Sequence, residues 1–141
     1  MDLSILVQDT ILYIKVVAII KSPKGFLFEK KPDRDYIFLV GGKMKINETS
    51  EEAIRREVLE EIGMEIKGMK LCSMIENLFT TPKEKFHEIC FVYKVNDIFT
   101  GNIPEGFVEV AKEDLDKQEI KPKCIVGLLK EDSEDFKHIV N

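Results

Sequence analysis

The sequence predicts an α/β domain in which helices cover both faces of a mixed β-sheet. Three observations support this: apolar, β-branched segments recur between turns, one amphipathic helical pattern lies among them, and a weaker helical pattern follows near the end. Strands on either side of an internal helix are typical of a sheet sandwiched between helices. The 141 residues contain no repeat and no linker, which predicts a single domain over residues 1–141.

The predicted elements follow in chain order. Residues 11–20 are apolar and β-branched, which indicates a buried strand, and a turn at residues 23–25 leads to a hairpin partner at residues 26–29. A short strand at 36–40 runs into Gly41 and Gly42. After the helix come strands at 69–79, 86–95 and 107–110, and residues 125–136 form a weak helical pattern.

Composition excludes several classes of protein. With 44% hydrophobic and 33% charged residues and a net charge of −5, the chain resembles an ordinary globular enzyme and lacks the cationic stripe of a dedicated nucleic-acid binder. No apolar run is long enough for a membrane span, and no export signal is recognisable. Cys72, Cys90 and Cys124 form no metal or disulfide pattern, so a reducing, cytoplasmic location is expected.

The predicted helix carries start and stop signals. Thr49, followed three residues later by Glu52, has the spacing of a capping box, and Gly63 stands where a left-handed C-terminal cap belongs. Apolar residues recur every four positions along the helix, at Ile54, Val58 and Ile62. This stripe predicts a helix that packs one face on the sheet.

The second half of this helix is unusually acidic. Glu57, Glu60 and Glu61 share one face, and like charges at this spacing cost about 0.2–0.5 kcal/mol per pair. Anions near a helix C-terminus are also disfavoured by the macrodipole. A divalent cation reverses the sign of both effects, because Mg²⁺ and Mn²⁺ prefer carboxylate oxygens. From spacing alone, a metal site and a merely acidic surface remain alternatives.

The segment that contains this helix resembles the Nudix box, G-x5-E-x7-R-E-U-x-E-E-x-G-U, in which U is a bulky aliphatic residue. Every position that the pattern specifies is met, namely Gly42, Glu48, Arg56, Glu57, Val58, Glu60, Glu61, Gly63 and Met64. The resemblance implies the Nudix fold, an α/β/α sandwich around a mixed β-sheet. It also implies a pyrophosphohydrolase that depends on Mg²⁺ or Mn²⁺.

The resemblance also assigns roles to single residues. Glu57, Glu60 and Glu61 bind the metal, one or more ions, together with a backbone carbonyl at Gly41. Arg56 holds the neighbouring carboxylates, while Gly42, Glu48 and Gly63 support the loop and the helix. Glu60 or Glu61 takes the proton of the attacking water.

Many relatives use a further acid from a distal loop as the base. Glu105, in the loop before the strand at 107–110, is the candidate here, and Glu88 is the second choice. A carboxylate within a strand, however, commonly faces solvent. Lys43 and Lys45 could contact substrate phosphate, with solvated loop lysines as the alternative.

The identity of the substrate stays open. Relatives that hydrolyse ADP-ribose or dinucleoside polyphosphates carry a proline or a tyrosine at set positions after the box, and these positions hold Phe79 and Thr81. The expected substrate is therefore a small molecule with a nucleoside diphosphate linked to another moiety: a nucleotide, ADP-ribose, a nucleotide sugar or a dinucleoside polyphosphate.

Two other functions compete with hydrolysis of a small nucleotide. A non-catalytic Nudix module that binds a nucleotide and regulates a partner is the first, and it is disfavoured because the box glutamates are present. The second is mRNA decapping, disfavoured because no basic patch is found. No membrane partner is expected, and a homodimer stays open because dimers occur among relatives.

Overall fold

The fold is described by a computed structural model that covers residues 1–131 and 133–141. A single eight-stranded sheet carries two α-helices, and a 3-10 helix spans Lys112–Lys117. The helices are α1 (Ser50–Ile62) and α2 (Ile125–Lys130). The strands are β1 (Ser4–Val7), β2 (Thr10–Ser22), β3 (Gly25–Lys30), β4 (Ile37–Lys43), β5 (Met69–Thr80), β6 (Lys85–Ile98), β7 (Phe107–Val110) and β8 (Lys137–Val140).

The sheet is mixed, as predicted. Its strand order is β7-β3-β4-β2-β6-β5-β8, and β1 pairs with β2 beside this path. The β2–β6 and β5–β8 pairs are parallel, whereas the other pairs are antiparallel. The predicted hairpin joins β2 to β3, with Ser22 opposite Gly25. The long strands β2 and β6 therefore lie side by side at the centre, where their apolar residues are buried.

Helix α1 covers one face of the sheet. Its predicted stripe is confirmed, since Ile54 and Val58 are fully buried and Ile62 is nearly so. These side chains pack with Val16, Ala18 and other residues of β2 and β4. Burying an aliphatic side chain of this size contributes about 1.5–3 kcal/mol relative to leaving it exposed. The stripe therefore anchors the acidic face of α1 beside the sheet.

The opposite face is covered by the C-terminal part of the chain. Leu115 of the 3-10 helix and Ile125 and Leu129 of α2 pack on Val17 and Val92 of the central strands. Alternate residues of β2 and β6 thus enter two separate cores, because successive side chains of a strand point to opposite faces. The arrangement is the predicted sandwich of helices around a sheet.

One prediction about the chain ends needs correction, and one element was missed. The helical pattern at residues 125–136 forms a helix only as far as Lys130, and the chain then returns as strand β8 along the edge of β5. The hairpin of β1 with β2 was not predicted either. Both strands are short, exposed segments whose pairing depends on a sheet edge that sequence alone does not reveal.

No helix among residues 1–131 and 133–141 is both long enough and apolar enough to span a membrane.

Candidate active site

Two glycines at the end of β4 allow an unusually close approach of neighbouring groups. Gly41 lies opposite Val17 of β2, and a Cβ there would stand 2.0 Å from the backbone oxygen of Val16. A Cβ on Gly42 would stand 2.6 Å from the carboxylate of Glu57. Only glycine leaves this space free, so the carboxylate of Glu57 rests against the backbone of Gly42.

The start and the end of α1 follow the predicted capping signals. The Thr49 hydroxyl accepts a hydrogen bond from the backbone N–H of Glu52 at 3.1 Å, and the Glu52 carboxylate accepts one from the Thr49 N–H at 2.8 Å. Gly63 ends the helix in the left-handed conformation, with φ 68°. Capping interactions of this kind contribute about 1 kcal/mol, so the acidic residues stand on a rigid element.

Arg56 joins the loop to the helix. Its Nε and Nη2 donate to the two oxygens of Glu48 at 2.7 and 2.9 Å, and its Nη1 donates to Glu57 at 2.9 Å. Weaker contacts reach Glu60 at 3.4 Å and the carbonyl oxygen of Lys43 at 3.3 Å. The paired guanidinium lowers the pKa of Glu48 to about 2, and a hydrogen bond from the backbone N–H of Lys45 acts in the same direction.

Glu61 lies in the opposite electrostatic environment. Its Oε2 is buried and, within residues 1–131 and 133–141, has no hydrogen-bond partner. Burial is the main cause that raises the pKa of Glu61, to about 8, followed by the negative charge of Glu29 and by the hydrogen bond and the charge of Glu57. The backbone N–H of Gly41 acts against this shift. Three carboxyl groups therefore face one another with too few donors between them.

Glu29 was missed by sequence reasoning. It belongs to β3, it is half-buried, and desolvation raises the pKa of its carboxyl group. The charge of Glu57 acts in the same direction, whereas the cations of Lys31, Lys15 and Arg34 act against the shift. No motif marks Glu29, because only the order of strands in the sheet brings β3 near the helix that carries Glu61.

These carboxylates suit a divalent cation by their chemistry. A buried carboxylate oxygen without a donor, next to two further carboxyl groups, is stabilised by a cation that prefers oxygen ligands. In their present rotamers, no three His, Cys, Asp or Glu side chains of the described residues converge closely enough to enclose an ion. The Glu60 side chain is 56% exposed and turns toward Arg56, so it has to rotate to join Glu57 and Glu61.

The remaining predicted site residues lie around this cluster. Glu105 is exposed in the loop before β7, and its side chain has no hydrogen bond or ion pair within the described part of the chain. Its neighbour Gly106 accepts a hydrogen bond from Lys30, beside Glu29 in β3. Lys43 is exposed at the last position of β4, and Lys45 is exposed on the loop that leads from β4 to α1.

The solvent-facing interpretation of Glu88 is wrong. Glu88 is only 4% exposed, and its carboxylate accepts a hydrogen bond from the Tyr13 hydroxyl on the neighbouring strand. It lies on the face of the sheet opposite α1, because Cys90 and Val92, two and four residues further along β6, pack in the core of that face. Glu88 is thus separated by the sheet from the box carboxylates.

Comparisons with known proteins agree with this geometry. A family model described as NUDIX domain matches residues 12–124. No curated protein matches the sequence. The structure is similar to that of a mutator MutT protein from Bacillus halodurans, with 20% identity, coverage of 89% of this chain and 86% of that chain, and a TM-score of 0.72.

Two further solved structures show the same fold. A MutT NUDIX hydrolase from Burkholderia pseudomallei is 23% identical, with coverage of 84% of this chain and 97% of that chain and a TM-score of 0.68. An ADP-ribose pyrophosphatase from Streptococcus suis is 15% identical, with 92% and 98% coverage and a TM-score of 0.61.

The fold and the acidic helix thus define a pyrophosphohydrolase class. The matched model covers well over half of the chain, and the protein belongs to the Nudix family.

Proposed function

We propose that the protein is a divalent-cation-dependent hydrolase that cleaves the diphosphate linkage of a nucleoside diphosphate joined to another group. The observation that carries this proposal is the buried Oε2 of Glu61, which faces the carboxyl groups of Glu29 and Glu57 without a donor of its own. Only a bound cation or an added proton offsets the repulsion among these three carboxyl groups. Two proteins of similar structure, a MutT protein and an ADP-ribose pyrophosphatase, are named for activities in the same range.

The residues that would hold Mg²⁺ or Mn²⁺ are Glu57, Glu60 and Glu61, with the backbone of Gly41 beside them. Bound there, a divalent cation supplies positive charge to the diphosphate oxygens and makes a water molecule more acidic. The Glu57 carboxylate is kept against Gly42 by Arg56. Since Arg56 also grips Glu48 with two hydrogen bonds, it ties the loop to the helix while the substrate binds.

A carboxylate is needed to take the proton from the attacking water. Glu61 Oε2 is suited to this role because its surroundings favour the protonated form, and Glu60 is the alternative on the same helix. Glu105 remains the candidate from a distal loop, and its exposure leaves it free to approach a bound substrate. Glu29 joins these candidates because it faces Glu61 across the site.

The phosphate chain of the substrate would meet lysines on the loop. Lys43 is the last residue of β4; its backbone oxygen accepts from Arg56, and its Nζ lies 5.1 Å from the centre of the Tyr13 ring. Lys45 lies two residues further along the chain, and its backbone N–H donates to Glu48. The three cysteines carry free thiols, which supports work in the reducing cytoplasm.

The test is hydrolysis of a substrate panel with Mg²⁺ or Mn²⁺. The panel contains nucleoside triphosphates, ADP-ribose, nucleotide sugars, dinucleoside polyphosphates and coenzyme A. For the best substrate we expect Glu61→Gln or Glu60→Gln to lower kcat by about 10²–10³. The control is Glu84→Gln, the same chemical change at an exposed position in the β5–β6 turn, which should keep full activity.

Stability without metal gives a second measurement. In the presence of a chelator, Glu61→Gln should unfold at a higher temperature than the wild type, because it removes one of three facing carboxylates. Added Mg²⁺ should stabilise the wild type more than the variant. A folded protein that binds the cation yet hydrolyses no compound of the panel would favour the non-catalytic, nucleotide-binding regulatory module instead.

A further inference from the structure

A pocket with a volume of about 120 Å³ lies between the sheet and the C-terminal part of the chain, and we call it the lysine pocket. The buried side chains of Phe26 and Leu129 form part of its apolar wall. The described residues that line it also include four lysines, namely Lys21, Lys94, Lys112 and Lys137. The pocket therefore combines an apolar wall with a set of cations.

The positive charge of the lysine pocket is poorly compensated. The acidic residues among its described lining are Glu131 and Asp135, and Lys137 lies as far as 4.0 Å from Glu131. Three of the lysines have neither an ion pair nor a hydrogen bond at Nζ within residues 1–131 and 133–141, namely Lys21, Lys94 and Lys112. The pocket is thus a local excess of positive charge in a chain whose net charge is −5.

Lys94 lies opposite a second positive charge in the sheet. It is half-buried on β6, and its partner in the antiparallel pair with β5 is Lys70. Side chains at such positions have Cβ atoms about 4.5–5.5 Å apart, and like charges there are destabilising. The Nζ of Lys70 donates to the backbone oxygen of Glu134 at 2.9 Å. Lys94 has no comparable acceptor among the described residues, so an added anion would stabilise it.

The nearby thiol does not supply this anion. Cys72 lines the pocket from β5, and burial raises the pKa of its thiol although Lys94 and Lys70 act in the opposite direction. The thiol is therefore neutral at physiological pH. A neutral thiol leaves the charge of Lys94 uncompensated.

The size of the pocket limits its ligand to a small anion. A cavity of roughly 150 Å³ accommodates benzene, and a single phosphate group is no larger than that ring. Each lysine carries three N–H donors, which suit the several oxygens of a tetrahedral anion. Apolar walls around charges of one sign also concentrate their electric field in the space between them. A phosphate group fits both the volume and the charge.

The lysine pocket is separate from the box. Lys15 of β2 pairs with Lys43 at the end of β4, whereas Lys21 lies six residues further along β2. With a rise of roughly 3.3 Å per residue, Lys21 is about 20 Å from that pair. Lys94 follows Val92 by two residues on β6 and so belongs to the face of the sheet opposite α1. A ligand in the pocket therefore does not contact the box carboxylates.

We propose that the lysine pocket binds one phosphate group, held by the half-buried Lys94 and Lys137 and by the exposed Lys21 and Lys112. The group belongs either to inorganic phosphate or to the end of a phosphomonoester. The four lysines come from β6, β8, β2 and the 3-10 helix, so the bound anion joins the C-terminal strand to the centre of the sheet. The site goes beyond the proposed hydrolysis and takes no part in it.

The first experiment measures binding of inorganic phosphate to the metal-free protein by calorimetry, with chloride keeping the ionic strength constant. We expect a dissociation constant of about 1 mM or lower. Ribose 5-phosphate is the second probe, and an affinity similar to that of phosphate would assign the site to phosphomonoesters. Binding of inorganic phosphate alone would assign it to the free ion. No binding of either probe would overturn the proposal.

Lys94→Gln supplies the sharper test. It should weaken phosphate binding by at least about tenfold, as loss of a hydrogen bond from a charged donor implies. Lys83→Gln is the matched control, the same chemical change at an exposed position in the β5–β6 turn, and it should keep the affinity. Without phosphate, Lys94→Gln should melt no lower than the wild type, because it removes the like charge opposite Lys70. The melt therefore separates a lost site from a lost fold.

Hydrogen exchange locates the bound anion. Phosphate should slow amide exchange in β8 (Lys137–Val140) of the wild type and leave it unchanged in Lys94→Gln. Lys43→Gln, at the end of β4 beside the box, should keep the phosphate affinity. Equal affinity in the wild type and Lys94→Gln, or a loss in Lys43→Gln instead, would overturn the site. Binding that Lys94→Gln abolishes would uphold it, also in a protein that hydrolyses nothing.

Discussion

Glu61 and Glu88 are both largely buried, but they lie on opposite faces of the sheet and have neighbours of different charge. Glu61 faces two further carboxyl groups and has an oxygen without a donor among the described residues. Glu88 is bound by the Tyr13 hydroxyl and lies in a slot bordered by two lysines. The Glu61 carboxylate therefore lacks a compensating partner, whereas the Glu88 carboxylate already has one.

This difference shows that burial alone does not define the role of an acidic residue. Desolvation disfavours the charged form of any carboxylate. The neighbouring groups determine whether a cation, a proton or a hydrogen-bond donor offsets this cost. Neighbours of like charge, as around Glu61, favour a metal ion. Around Glu88 the neighbours are a hydroxyl donor and two lysines, so no like charge has to be offset there. The variants below disturb one region at a time.

The largest effects are expected at the two glycines between the regions. Gly41→Ala places a Cβ 2.0 Å from the backbone oxygen of Val16, which cannot move without β2. We expect it to lower the free energy of unfolding by about 1–3 kcal/mol and to lower kcat, because β4 leads into the box. Denaturant unfolding measures the loss, and an unchanged midpoint would contradict the close approach of these two strands.

Gly42→Ala is the matched variant that should affect one region only. Its Cβ would meet the end of the Glu57 side chain at 2.6 Å, and a side chain can turn away at little cost. We expect near wild-type stability, with kcat lowered by about a hundredfold because Glu57 is displaced. A kcat equal to that of the wild type would contradict the dependence of activity on the position of Glu57.

A smaller effect is expected when the Glu88 region is altered by itself. Tyr13→Phe removes the hydroxyl that donates to Glu88, and a buried acceptor deprived of its donor costs about 1–3 kcal/mol. Combining it with Glu88→Gln should cost less than the sum of the two single changes, because an uncharged amide is less costly to leave unpartnered. Thermal unfolding of the four proteins gives this interaction directly, and strict additivity would argue against it.

The smallest effect is expected on the stability of the fold at acid pH, through the ion pair between Arg56 and Glu48. Arg56 lowers the pKa of Glu48 from its ordinary value of 4.5 to about 2. The ion pair therefore stabilises the fold above about pH 4.5, and this contribution is lost as the pH falls toward about 2. The stability difference between wild type and Glu48→Gln should shrink over this window. Glu84→Gln, measured in parallel, should show no such narrowing.

The sequence predicted most reliably what short stretches of chain determine by themselves. The cap at Thr49, the end at Gly63 and the buried stripe of α1 depend on residues within a few positions of each other, and the structure has all of them. Strand β7 occupies the predicted residues for the same reason, since turn residues bound it on one side. The alternation of apolar and turn segments was sufficient to predict the sandwich of helices around a sheet.

Features that depend on distant pairings could not be predicted. Strand β8 pairs with the edge of β5, and the presence of that edge cannot be recognised from residues 137–140 themselves. Glu29 and Glu88 are single acidic residues within strands, without a motif around them. Their importance follows from the strand order, which places β3 near Glu61 and sets Glu88 opposite Tyr13. The roles of the box residues themselves remain predictions that the proposed measurements address.

The central pairing of β2 with β6 also has a kinetic consequence. Arg56 and Glu48 are eight positions apart, whereas Tyr13 and Glu88 are 75 positions apart. Closing a long loop is entropically more costly, and distant contacts slow folding. During refolding we therefore expect the charged network around Arg56 to form early. The contact between Tyr13 and Glu88 should form later, because it requires β2 and β6, which are far apart in the sequence, to pair first.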